Sequence, residues 1–194
     1  MKRWLSVLSL SLLLPLGACG YNRIQTLDEA AASAQGQIEN QLQRRADLIP
    51  NLVNTVKGYA KQEQTVLREV TEARARATQM TLPADILSNP QAFHQFEQNQ
   101  AAISGALGRL LAVSEAYPDL KSNQNFLVLQ SQLEGTENRI AVARKDYIDA
   151  VQTYNTTLRT IPTRWVAAIF YPDAKPRETF TISEKAQQAP EVKF

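Results

Sequence analysis

A helical hydrophobic seam running from residue 27 to residue 77 constrains this chain more than any other feature. Apolar or small residues recur at Leu27, Ala31, Ala34, Ile38, Leu42, Ile49, Leu52, Val56, Tyr59, Val66, Val70, Ala73 and Ala77, mostly in steps of three, four or seven. Such spacing puts them on one narrow stripe of an α-helix, the stripe a helix buries against partner helices. Only 7 Gly and 9 Pro interrupt the 194 residues, so long helices meet few breakers. Pro50 is the exception inside the seam. Proline removes a backbone donor and crowds the preceding turn, so a kink or short break is expected over 46–50, with Asp47 capping the restarted helix.

Two further seams follow. Asn89-Pro90 has the form of an N-cap and a first-turn proline, opening a helix over 90–117 with Phe93, Phe96, Ile103, Leu107, Leu110, Ser114 and Tyr117 on one stripe. Pro118 stops it, 119–122 connects, and a third helix over 123–160 carries Phe126, Leu133, Ile140, Tyr147, Val151, Tyr154 and Leu158, with Ile161 after it. Residues 163–194 differ in composition and predict a short helix against the bundle end followed by an extended tail, with Phe180 and Phe194 as hydrophobic pins and disorder toward the C-terminus. The expected fold class is all-α: an elongated antiparallel bundle of three to four long helices with a short C-terminal helix or extended tail.

The first residues read as an export signal. Lys2 and Arg3 form a positive start, Trp4 to Leu14 an apolar stretch, and Pro15 and small residues precede a cut site. That stretch falls short of the ~20 residues a spanning helix needs. Leu16-Gly17-Ala18-Cys19 resembles the lipobox of bacterial lipoproteins, which implies cleavage between Ala18 and Cys19 and lipidation of Cys19. A lone cysteine in an oxidising compartment is otherwise an unpaired thiol. Acyl chains bury about 0.8 kcal/mol per CH₂, so two or three of them anchor stably. Gly20 after the cysteine points to an outer-membrane anchor in a Gram-negative host. The division expected is therefore a signal peptide over 1–18, a lipid anchor and linker over 19–26, a bundle over 27–162 and a tail over 163–194.

Composition narrows the function. Setting aside Lys2 and Arg3 leaves the 21 basic and 19 acidic residues balanced, with no dense basic run, which argues against nucleic acid. One Cys and one His cannot build a Cys/His zinc site, which wants three or four ligands. No phosphate-binding loop, dinucleotide fingerprint or zinc-helix motif occurs. His94 is expected on the surface, and the Asn residues, Asn155 among them, are expected to cap or link helices.

The run Asn40-Gln-Leu-Gln-Arg-Arg-Ala-Asp-Leu-Ile-Pro-Asn-Leu-Val-Asn-Thr-Val-Lys-Gly-Tyr59 resembles the signature of the LemA family. Glu115-Ala-Tyr-Pro-Asp-Leu-Lys121 and a block holding Ala143-Arg144, Tyr147 and Tyr154-Asn155 agree with it. One departure is Ile169-Phe170-Tyr171, where the family commonly has Gly-Phe. The resemblance implies a membrane-attached, mostly extracytoplasmic helical protein and little chemistry.

Glu137 and Arg144 lie two helical turns apart and so point the same way. A polar layer inside the bundle is expected, with Arg44 or Arg45 facing Glu137 and with Asp47 or Glu63 near Arg144. As structure, it is an ion-pair network that sets helix register; as function, it is a partner site. No catalytic residue, metal or cofactor is expected. The function read from sequence is an envelope scaffold or interaction lipoprotein with an unidentified envelope protein as partner. Self-assembly into a homo-oligomer, or a hydrolase using inter-helix carboxylates, are the alternatives.

Overall fold

Two helices dominate because two stretches run for more than thirty residues without a stop: α1 (Lys2–Tyr59) and α5 (Gln124–Arg159). At 1.5 Å per residue, α5 is about 54 Å long. The computed structural model describes residues 2–79 and 86–180, with side chains from Tyr21 onward. Between the long helices lie α2 (Gln64–Gln79), a 3-10 turn at Ile86–Ser88, α3 (Pro90–Ser114) and the single-turn α4 (Pro118–Lys121); α6 (Thr163–Phe170) follows α5. Among the described residues there is no strand, and the all-α class expected from the seams holds. Phe194 lies outside the described residues, as do the side chains of Ala18 and Cys19.

Packing partners give the directions. Ile24 of α1 clusters with Tyr154 and Leu158 of α5, Ile38 with Tyr147 and Val151, and Leu52 with Phe126 and Leu133, so the two helices are antiparallel. Phe93 and Phe96 of α3 share the cluster of Ile38, while Leu107 and Leu110 share that of Leu52, so α3 runs parallel to α1. Down the other side comes α2, with Leu67, Val70 and Ala73 buried in the upper cluster. The result is an up-down-up-down bundle with three apolar clusters stacked along its length. Side-chain caps open two helices: Asn89 accepts from the Ala92 N–H at 3.2 Å and Asn123 from the Phe126 N–H at 3.0 Å.

Of the kink or short break expected over 46–50, the break does not occur: α1 continues as helix through Pro50. An interior proline costs about 3 kcal/mol, because its ring displaces a turn and the carbonyl four residues back loses its donor. That carbonyl belongs to Ala46, and the Arg74 Nε of α2 donates to it at 2.8 Å. A hydrogen bond from a charged donor contributes about 1.5–3 kcal/mol and offsets much of the loss. Burial of Ile49 and Leu52, each 1% exposed, holds the turn in place. Asp47 is accordingly no cap: it sits mid-helix and accepts from Gln43 Nε2 at 2.8 Å. The chain reverses instead over 60–63, around the fully buried Ala60, with the Glu63 N–H donating to the Ala60 carbonyl at 3.1 Å.

Arg74→Ala is expected to lower stability by about 1–3 kcal/mol in urea unfolding, because the Ala46 carbonyl is left without a donor. The same change in a Pro50→Ala background should cost much less, since the substituted residue supplies the missing backbone N–H. Equal costs in both backgrounds would dissociate Arg74 from the proline.

Candidate functional site

A polar layer separates the upper and middle apolar clusters. Arg45 on α1 falls between Ile38 and Leu52 at a seven-residue step, and Gln100 on α3 falls between Phe93 and Leu107 at the same step, so both occupy core positions. Arg45 is 1% exposed and is among the largest fully buried side chains. Its Nη1 donates to Glu137 Oε1 of α5 at 3.0 Å and to Ser104 Oγ of α3 at 3.1 Å, while Nη2 donates to Gln100 Oε1. One buried guanidinium thus ties three helices at a single level.

Of the candidate residues, the structure brings Arg45 and Glu137 together and leaves Arg44 exposed on the outer face of α1. Arg144 lies within electrostatic reach of Arg45, Glu137 and Glu97. Burial, then the neighbouring Arg45, pull its pKa down, and Glu137 and Glu97 pull it back. Its guanidinium lies 4.8 Å from the centre of the Phe180 ring. Neither Asp47 nor Glu63 approaches Arg144 as expected. Asp47 is exposed, and Glu63 lies at the far end of the bundle, accepting from the Tyr117 hydroxyl at 3.1 Å. Gln100 and Ser104 were missed, although the step from Phe93 through Gln100 to Leu107 was a signal in the sequence.

The segment 171–180 is extended, as expected, and Phe180 pins it to the bundle, but its polar fastenings were not expected. It runs back along the bundle as a strap. Asn155 brackets it: Nδ2 donates to the Arg177 carbonyl at 2.9 Å and Oδ1 accepts from the Arg177 N–H at 2.8 Å. The Arg177 guanidinium donates to Asp28 Oδ1 through Nη2 at 2.8 Å and Nε at 3.0 Å. Higher up, the Tyr147 hydroxyl donates to the Glu178 carbonyl at 2.7 Å and the Glu178 N–H to the Leu87 carbonyl at 2.6 Å. Phe180 then enters the aromatic group of Phe93, Phe96 and Tyr147, with ring centres 5.0–6.4 Å from its own. A 470 Å³ cleft opens beside the strap, but Asp28, Tyr154 and Arg177 in its wall already interact with one another.

Burial, then the Asp28 carboxylate, push the Tyr154 phenol from its ordinary 10.0 up to about 12, and burial also raises Tyr147. A raised folded-state value means that the fold prefers the neutral phenol. The associated stability is complete below pH 10.0 and is lost as pH rises through about 12. The urea midpoint is expected to fall across that alkaline window, and Tyr154→Phe should flatten part of the fall. An unchanged slope in the variant would remove Tyr154 as a cause.

Among the described residues, no three His, Cys, Asp or Glu side chains gather as a metal site, and His94 is exposed. Nor is any described helix long and apolar enough to cross a membrane. These features define a helical-bundle protein with a buried polar layer and a strapped lower half. The sequence profile of the LemA family matches residues 34–194, and the chain belongs to that family. Relatives include the magnetosome proteins MamQ 1 and MamQ 2 of Paramagnetospirillum magneticum, each 27% identical over 184 residues. Magnetosome protein MamQ of Magnetospirillum gryphiswaldense is 25% identical over 181 residues. In all three the match covers 85% of this chain and 66% of the relative's length. Neither the family description nor these names denote a reaction.

Proposed function

We propose that the chain is a lipid-anchored scaffold of the cell envelope, tethered through Cys19 and working by contact rather than by catalysis. The observation that carries this reading is continuity: α1 runs without a break from the position of Cys19 to Tyr59, so whatever holds the chain at Cys19 holds the whole bundle. The lipobox-like Leu16-Gly17-Ala18-Cys19 supplies the tether, and the polar layer and strap make the bundle a rigid body able to present a surface. The relatives are named for a cellular body rather than for a substrate, in keeping with a membrane-associated organising role. The unidentified partner is an envelope protein, or a second copy of the chain.

Growth with a labelled fatty acid tests the tether. Wild type is expected to incorporate the label and to run at the processed size in the membrane fraction, while Cys19→Ser loses the label. A wild-type chain that is processed, unlabelled and soluble would overturn the reading.

A further inference from the structure

The end of the bundle nearest Cys19 carries five of the nine large hydrophobic residues exposed among those described, Tyr21 and four others. Trp165 is 61% exposed, Ile169 72%, Ile161 63% and Phe170 57%. They belong to α6 and the turn before it. Helix α6 turns Thr163 and Val166 inward, with Val166 clustering with Ile24 of α1, and leaves Trp165 and Ile169, four residues apart, on the outer face. Tyr21 completes the patch, its ring centre 5.8 Å from that of Phe170. Exposed apolar residues scattered singly mean little, but a contiguous patch of this kind marks a contact surface.

Position and charge identify what covers it. Tyr21 is two residues from Cys19, about 3 Å of helix rise, so the proposed anchor and the patch lie at the same end of the bundle. From residue 19 to 27 and from 150 to 172 every charged side chain is an arginine: Arg23, Arg159 and Arg164. The nearest carboxylates in sequence are Asp28, which accepts the Arg177 fork, Asp149, which pairs with Lys145, and Asp173 on the strap. An aromatic and aliphatic face edged by arginine fits the boundary between acyl chains and anionic head groups.

We propose that the outer face of α6, with Tyr21, seats in the bilayer interface beside the anchor. Trp165, Ile169, Ile161 and Phe170 enter the head-group boundary, and Arg23, Arg159 and Arg164 meet anionic lipid. The tether then has a second contact, which fixes the tilt of the bundle instead of leaving it to swing on a lipidated residue. This rests on the reading that the chain is anchored near Cys19.

Trp165 reports on the proposal directly, since Trp4 is the other tryptophan of the chain. Protein purified from membranes, carrying Trp4→Phe so that any unprocessed chain also reports on Trp165 alone, is reconstituted in phosphatidylethanolamine/phosphatidylglycerol vesicles, with and without brominated acyl chains. Trp165 emission is expected to be blue-shifted and at least halved by the brominated lipid. Replacing phosphatidylglycerol with phosphatidylcholine should weaken the quenching, as should Ile161→Ser with Ile169→Ser, two exposed positions whose change leaves the core intact. Fatty-acid labelling of the same preparation separates this proposal from the tether. Quenched Trp165 on an unlabelled chain retains the face and overturns the tether. Unquenched Trp165 on a labelled chain overturns the face and retains the tether. Unquenched emission with a concentration-dependent dimer also overturns the proposal and assigns the face to a second copy.

Discussion

Glu137→Ala is expected to cost about 3–5 kcal/mol in urea unfolding, more than removal of its partner, because it strands a charge that is buried. Arg45 is 1% exposed and Glu137 39%, so the two ends of the pair differ in access to water. Without Glu137 the guanidinium keeps only the neutral acceptors Gln100 and Ser104. The partial exposure of Glu137 places the cost toward the lower end of the range. Arg45→Met removes the charge itself. Glu137 then turns toward solvent, and the remaining penalty is the buried Gln100 Oε1 left without its donor, about 1–3 kcal/mol, since the Ser104 hydroxyl still donates to the Gln100 carbonyl. Combining Arg45→Met with Glu137→Ala should cost no more than Arg45→Met alone, a strongly non-additive cycle. Adding Gln100→Leu should recover stability, since an apolar replacement of a buried polar group is often neutral or better. A Glu137→Ala cost below that of Arg45→Met would sink this account of the layer. If the layer instead serves a partner, the same variants should keep their midpoint and lose binding.

Phe180→Ala is expected to release the strap and to lower the melting temperature by about 4–8 °C. A fully buried phenylalanine costs about 3–5 kcal/mol on truncation, and Phe180 is half-buried, which suggests about 2. In a chain of this size each kcal/mol moves the melting temperature by about 2–4 °C. The effect should also be local. Phe180 is packed against Phe93, Phe96, Tyr147 and the Arg144 guanidinium, so amide exchange should rise first over 171–180, above all at Arg177 and Glu178, whose N–H groups donate to Asn155 Oδ1 and the Leu87 carbonyl. The upper cluster around Leu52 and Leu110 should keep its protection. Uniform loss across the bundle would mean that the strap belongs to the global cooperative unit rather than to a separable one.

Much of the bundle was legible because helical burial is periodic. Ile38, Leu52, Val56, Phe93, Leu110, Phe126, Tyr147 and Val151 are buried where the seams put them, and Asn89 caps where Asn-Pro suggested. Tyr59 was read into the seam and stands 44% exposed, because the chain is already turning toward α2 at that point. Glu137 was singled out by its two-turn offset from Arg144, but which arginine would reach it was open. One residue is about 100° around a helix, enough to put Arg44 in water and Arg45 in the core.

By itself, the order of side chains determined the class of fold, the helices and most of their buried stripes, since these depend on spacing along one chain. The path through Pro50, the strap and the apolar end face were decided only in three dimensions. Each depends on groups distant in sequence: the Ala46 carbonyl meets a donor 28 residues away, and Arg177 meets Asp28 across 149. A local rule marks proline as a stop because it counts the lost bond. Tertiary packing supplied another donor and let the helix continue.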